Sequence, residues 1–186
     1  MIEYHSTVVV FVASGTEEME AIIISDMLRR AGINVIIAGE YEIITASRGV
    51  KFLPDVTFEH ILEDEEYLAL IFPGGSRASE TFCSHPHIEK LLRSHFKRNA
   101  IVGAMCESPA IFVAYDLLPS TTAMTSHPDI QHIISKKYNY MDEKVVIDGN
   151  VITCQGAGTS FDFAFALIEI LSNSKIATSV ARDIQY

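Results

Sequence analysis

Few side chains in this sequence stand where they could do covalent chemistry, and Cys106 is the first of them. The apolar run Ala100 to Met105 has the length of a strand and stops at that cysteine. Glu107, Ser108 and Pro109 follow, and a second apolar run, Ala110 to Leu118, then has helical spacing. Proline at a first helical position is a start signal, so the spacing predicts a strand, a tight turn carrying Cys106, and a helix. That is the geometry of a nucleophile elbow, with the sulfur near a helix N-terminus and biased toward thiolate. Read alone, Cys106 also fits a small buried hydrophobe.

Three further features stand beside it. On a helix from Glu17 to Ala31, the residues Ile23, Ile24, Met27, Leu28 and Ala31 form one stripe. Glu20 projects into that stripe, while Glu18, Ser25 and Arg29 face the other way. A carboxylate on an apolar face must be paired, hydrogen-bonded or protonated. Glu20 therefore reads either as a cap or loop anchor, or as an acid of raised pKa beside a thiol. Pro73-Gly74-Gly75, after a strand, removes side chains so that backbone N–H groups can approach a bound oxygen. Gly75 and Glu107 could then form an oxyanion hole, although such a triplet also makes an ordinary turn. His127, at the end of another strand, is open to a structural or a proton-transfer role. Cys83 and Cys154 lack an elbow context and read as bystanders. His85-Pro86-His87 has no third ligand at usual spacing, so no zinc site is expected there. Gly156-Ala157-Gly158-Thr159 lacks the last glycine of a dinucleotide fingerprint, and no cofactor is expected.

The elements that must hold these groups alternate in type. Thr7 to Ala13 and Leu68 to Phe72 are near-continuous apolar runs, the pattern of strands buried on both faces. Asn34 to Ala38 and Thr121 to Thr125 read as further strands, Val145 to Thr153 as a hairpin turning at Gly149-Asn150, and Tyr41 to Val56 as a small antiparallel excursion. Helices are expected from about Pro86 to Lys97, from Phe161 to Leu171, and from about Lys175. Ser14 and Thr16 are candidate caps, and Gly32 closes the first helix. The alternation predicts one α/β domain over residues 1–186, a three-layer sandwich with a largely parallel central sheet. Sites in such sheets lie beyond the carboxyl ends of the strands. That rule brings the loops beginning at Ser14, Pro73, Cys106 and Ser126 to one crevice.

Composition narrows the function classes. A formal charge of −10 disfavours a nucleic-acid surface, which needs clustered cations. The first five residues lack a basic segment and Thr7 to Ala13 is too short for a signal core or membrane span, so a cytoplasmic protein without a membrane partner is expected. Three cysteines without a C-x-x-C pair make a disulfide framework improbable and leave thiol chemistry open.

Taken in order, Glu17-Glu18-Met19-Glu20, Arg29-Arg30-Ala31-Gly32-Ile33, Pro73-Gly74-Gly75, the cysteine elbow, Ser126-His127-Pro128 and Gly156-Ala157-Gly158-Thr159-Ser160-Phe161 resemble the ThiJ/PfpI superfamily. The likeness is closest to the branch of the Parkinson-disease-associated protein deglycase and covers nearly the whole chain. The resemblance implies a flavodoxin-like fold, Cys106 as nucleophile and redox-sensitive thiol, and Glu20 as its proton-shuttling acid. It also implies oxyanion amides from Gly75 and Glu107, with His127 lining the pocket. A homodimer is implied, with Met19 and Ile22 of the first helix at the interface and Arg48 approaching the partner's pocket. The implied activity is a cofactor-independent glyoxalase or deglycase acting on methylglyoxal and related 2-oxoaldehydes. The alternative is an oxidative-stress sensor or redox-regulated chaperone in which Cys106 becomes a sulfinate. One departure stands out: the branch has Ala-Gly-Pro after the cysteine, and this chain has Glu107-Ser108-Pro109. A carboxylate there opposes a thiolate unless it points to solvent. Protease-like members place a histidine at that position, so proteolysis is not expected.

Overall fold

In the computed structural model, residues 6–186 are described; the N-terminal stretch read above for targeting signals lies outside them. The chain runs β1 (Thr7–Val12), α1 (Glu18–Arg30), β2 (Asn34–Gly39), β3 (Ile44–Thr45), β4 (Lys51–Phe52), β5 (Val56–Thr57), β6 (Ala69–Phe72), α2 (Ser76–Ser84) and α3 (Pro86–Lys97). It continues with β7 (Ile101–Met105), α4 (Ala110–Ala114), β8 (Ala123–Met124), α5 (Gln131–Ile134), β9 (Asn139–Tyr140), β10 (Val145–Asp148), β11 (Val151–Cys154), α6 (Ser160–Leu171) and α7 (Ser174–Asp183).

Seven strands form one sheet in the order β10-β11-β7-β6-β1-β2-β5, parallel throughout except for the β10–β11 hairpin. The largely parallel α/β sandwich is therefore present. Its three layers follow from the period-2 alternation of buried strands. Val9 and Phe11 of β1 join Leu70 and Phe72 of β6 in a core that includes Phe82 of α2, Leu91 of α3 and Phe112 of α4. Val8 and Val10 face the other way, with Ile71, against Ile24 and Leu28 of α1 and Phe163 and Leu167 of α6. The first core is knitted by aromatic rings, with Phe11 and Phe72 stacked at 4.6 Å between centroids. On the second face Gly103 lets Phe163 approach, because a Cβ there would come within 2.9 Å of that ring.

The structure departs from the sequence reading in several places. α2 was not expected: its sequence is largely polar, and only Ala78, Ser79 and Phe82 are buried, which leaves no helical stripe to read. The helix after the cysteine ends at Ala114, not Leu118. Asp116 adopts φ 51°, the N–H of Leu117 bonds the Phe112 carbonyl at 3.3 Å, and that of Asp116 bonds the Val113 carbonyl at 3.4 Å. This is a Schellman stop with aspartate in the place usually taken by glycine. Gly32, at φ 77°, closes α1 in the same way. The strand expected over Thr121 to Thr125 is only two residues long and pairs with β9 outside the main sheet. Its continuation is cut off because the Thr125 N–H goes to the Thr153 hydroxyl at 2.9 Å rather than to a backbone partner. The antiparallel excursion exists as β3 and β4, and the following β5 adds a parallel edge to β2. No helix among the described residues is long and apolar enough to cross a membrane.

α1 also buries more of itself than its stripe suggests. Glu18 and Ser25, expected on the outer side, are 6% and 4% exposed. The loop after β3 folds over the start of the helix: Ser47 Oγ donates to Glu18 at 2.8 Å, and the Arg48 N–H donates to it at 2.9 Å. Neither expected side chain caps α1. The N-cap is Glu17, without a side-chain cap bond, and Thr16 Oγ1 turns back to accept the Ala13 N–H at 2.8 Å.

Candidate active site

The loops predicted to converge do so in a cavity of about 790 Å³ lined by Ser14, Glu20, Gly75, Cys106, Glu107 and His127, among others. Arg48 and Arg77 stand on its rim. At its centre Cys106 has φ 58°, a conformation unusual for a non-glycine residue and costing of order 1–3 kcal/mol. Hydrogen bonds over-determine it. The Cys106 N–H donates to the Cys154 carbonyl at 2.9 Å, the His127 N–H donates to the Cys106 carbonyl at 2.7 Å, and the Ser108 N–H donates to the Met105 carbonyl at 2.8 Å. The elbow expected from the sequence is therefore held from the neighbouring strand β11 and from the loop after β8.

Two glycines make room for it. A side chain on Gly74 would overlap Cys106, and one on Gly75, at φ 103°, would overlap the Gly15 carbonyl. The Gly74 N–H donates to Glu20 Oε2 at 2.6 Å. Gly75 and Glu107 direct their backbone N–H groups at the Cys106 sulfur. Thus Glu20, Gly74, Gly75, Cys106 and Glu107 meet as one constellation. His127 joins its edge: its Nδ1 accepts the Asp129 N–H at 3.3 Å, which leaves the Cδ2 side of the ring toward the thiol.

Glu20 is fully buried. Oε1 has no hydrogen-bond partner of good geometry and opens on the space shared with the sulfur. An atom built as a Cβ on Gly156 would lie 3.9 Å from Cys106 Sγ and 4.0 Å from that oxygen. Burial pushes the Glu20 carboxyl up to about 7, and the charges of Glu17 and Glu107 push the same way; the Gly74 amide and the Cys106 thiol pull against them. Glu20 does not cap its helix; it anchors the loop after β6 through the Gly74 N–H and is at the same time an acid of raised pKa. Burial also pushes the Cys106 thiol up, as do the charges of Glu20 and Glu107, against the Gly75 and Glu107 amides. The expected bias toward thiolate is thus overturned: burial is the largest cause and favours the neutral thiol whatever the charge on the two carboxylates. α4 does little to restore it, since it is only five residues long and Pro109 sits at its N-cap. Both shifts favour the protonated form, of the thiol and of the carboxyl alike.

Two supporting residues escaped the sequence reading. Ser108 is fully buried and donates to the Pro73 carbonyl at 2.7 Å, with Ser79 Oγ at 3.0 Å, so it latches the elbow to the loop after β6. Its adjacency to Cys106 was the available signal. Gly156, whose missing side chain leaves space between Cys106 Sγ and Glu20 Oε1, lies in a glycine run that the sequence reading takes as an incomplete nucleotide motif and as part of the family resemblance, with no role in the site.

The DJ-1/PfpI family pattern matches residues 6–170. The chain belongs to that family. Among relatives of this DJ-1/PfpI protein, dj-1beta of Drosophila melanogaster is 35% identical over 176 residues, covering 93% of each chain. The glutathione-independent glyoxalase DJR-1.2 of Caenorhabditis elegans is 29% identical over 179 residues, covering 95% of this chain and 94% of its own. The crystal structure of Drosophila DJ-1beta superposes with a TM-score of 0.93 at 33% identity over 97% of both chains. The flavodoxin-like fold expected from the resemblance is therefore that of the family, which includes glyoxalase-type enzymes.

Proposed function

We propose that this DJ-1/PfpI protein is a cofactor-independent glyoxalase acting on methylglyoxal and related 2-oxoaldehydes or their adducts. The observation that carries this reading is the strained Cys106 elbow, whose sulfur faces two backbone N–H groups and a buried carboxyl of raised pKa. The Cys106 sulfur adds to the aldehyde carbon as its proton passes to the Glu20 carboxylate, and the resulting oxyanion is held by the amides of Gly75 and Glu107. Glu20 first gives a proton to that oxygen. As carboxylate it then removes the hydrogen on the former aldehyde carbon and delivers a proton to the neighbouring carbon, through an enediol-like intermediate. The product is a 2-hydroxyacyl thioester on Cys106. Water cleaves it, releasing lactate and restoring the thiol, so that methylglyoxal and one water give lactate with no external oxidant. His127 lines the path by which water and protons reach the thioester.

The protein works in this reading as a cytoplasmic homodimer. The exposed apolar side chains Met19 and Ile22 on α1 support the dimer, in which Arg48, exposed on the rim of this chain's own cavity, would approach the partner's.

Lactate formed from methylglyoxal in amine-free and thiol-free buffer tests the enzyme reading. Wild type turns over, while Cys106→Ser and Glu20→Gln lose at least 100-fold, in the range expected for removing a nucleophile or a general acid–base group. Absence of lactate from folded, reduced wild type overturns it and leaves oxidation of Cys106 by peroxide as the function to pursue.

A further inference from the structure

Two short hydrogen bonds meet on one peptide unit of the loop after β6. The carbonyl of Pro73 and the N–H of Gly74 belong to the same rigid plane. The carbonyl accepts the Ser108 hydroxyl at 2.7 Å, and the N–H donates to Glu20 Oε2 at 2.6 Å. Ser108 has a single hydroxyl hydrogen and gives it to Pro73, so in its 3.0 Å contact with Ser79 the Ser79 hydroxyl is the donor. A directed chain therefore runs from Ser79 through Ser108 and across the Pro73–Gly74 peptide to the carboxyl of Glu20. The next peptide is held as well: the Gly74 carbonyl accepts the Glu17 N–H at 2.8 Å, and the Gly75 N–H faces the Cys106 sulfur.

The chain is shielded from water. Ser108 and Glu20 are fully buried, and Ser79 is 5% exposed. Hydrogen bonds in series polarise one another in such surroundings, so a hydroxyl on the carbonyl makes the N–H of the same amide a better donor. It also fixes the plane of that amide, and with it the direction from which Gly74 holds the carboxyl. Gly74 has no side chain by which packing could fix it, because Cys106 fills that space. Ser79 is tied to the same loop, since its N–H donates to the Gly75 carbonyl at 2.9 Å. The branch that the sequence resembles has glycine in the place of Ser108, which cannot form this chain.

We propose that Ser108 is a positioning residue for proton transfer by Glu20, acting through the Pro73–Gly74 peptide, with Ser79 aligning its hydroxyl. The effect on turnover rests on the glyoxalase reading, whereas the hold on Glu20 is measured with no substrate present. Glu20 faces Glu17 of its own helix, Cys106 and Glu107 of the elbow, His127 and Cys154, and all of these remain in the variants that test the role.

Carbon-13 NMR of reduced protein labelled at its glutamate carboxyls, with the Glu20 signal assigned by Glu20→Gln, follows the titration of the acid. Ser108→Ala raises the Glu20 midpoint by about 0.3 pH unit or more, because a weaker donor stabilises the carboxylate less. Ser79→Ala raises it by a smaller amount and, added to Ser108→Ala, changes it no further. With methylglyoxal, Ser108→Ala lowers kcat by about fivefold or more while KM stays within about twofold, and Ser79→Ala lies between it and wild type. A contact that serves folding alone lowers the unfolding temperature but leaves the midpoint and kcat of the folded variants at their wild-type values, and that result overturns the proposal. A midpoint that falls in Ser108→Ala overturns it too. If Ser108→Ala does not fold, Ser79→Ala decides by the same signs. A wild type that forms no lactate refutes the glyoxalase reading, and the NMR midpoints then decide by themselves whether Ser108 holds Glu20.

Discussion

Glu107 decides how reactive the thiol beside it can be. Its backbone N–H faces the Cys106 sulfur and favours thiolate, while its carboxylate raises the thiol's pKa. Replacing the side chain removes only the second effect. Glu107→Ala is expected to speed iodoacetamide labelling of Cys106 about threefold at pH 7.5 in chelator-treated buffer, the size of a partly screened like-charge effect. Labelling followed by mass spectrometry of the peptide containing Cys106 measures it, and an unchanged rate would show that the carboxylate is directed away from the sulfur. Ser108, the second departure from the family's Ala-Gly, has a structural account. Its hydroxyl spans the elbow and the Pro73 carbonyl, a contact that glycine cannot make.

At the scale of the element, α1 carries two opposed loads. Its inner face presents Glu20 to the cavity and Ile24, Met27 and Leu28 to the sheet. Its outer face leaves Met19 at 52% and Ile22 at 49% exposure, one position before the acid and two after it. If a second copy covers this face, a charge placed there becomes costly only in the dimer. Ile22→Glu is expected to shift the protein to monomer in sedimentation equilibrium while far-ultraviolet circular dichroism stays that of wild type. A wild type that sediments as monomer, or a variant that remains a dimer, would remove α1 from the interface. The helix also shows why faces were only partly legible. The 3.6-residue period placed Glu20 correctly, but the burial of Glu18 comes from the loop at Ser47 and Arg48, which periodicity within α1 does not contain.

Over the whole molecule, two buried ionisable groups give stability opposite pH dependences. Glu20 rises from its ordinary 4.5 to about 7, so the native state binds the extra proton. Its contribution is full below about pH 4.5 and is lost as pH climbs through 7, by roughly 3 kcal/mol. His95 is 1% exposed, with Nε2 unpartnered. Burial lowers it from 6.5 to about 4, and nearby Arg98 adds to this. The native state therefore excludes that proton: stability is full above about pH 6.5 and falls as pH drops through 4, again by roughly 3 kcal/mol. Between pH 4.5 and 6.5 the two slopes oppose each other. Urea unfolding is expected to find Glu20→Gln more stable than wild type at pH 8, by up to about 3 kcal/mol, with the advantage gone at pH 4.5. A difference that does not change with pH would contradict the raised pKa of Glu20.

By itself, the sequence determined the alternation of strands and helices, the place of the elbow, and the acid on the inner face of α1. These follow from local periods and from a proline or glycine beside an apolar run, which act within a few residues. The short α4 and the truncated β8 were decided by tertiary contacts, and so was the unforeseen α2. A left-handed Asp116, a Thr153 hydroxyl taking a ladder hydrogen bond, and a polar helix anchored by Phe82 leave no periodic trace. The environment of the thiol was decided there too. A helix start after a cysteine predicts a thiolate, but burial beside Glu20 and Glu107 brings together charges 87 positions apart in the chain, and only folding sets that distance.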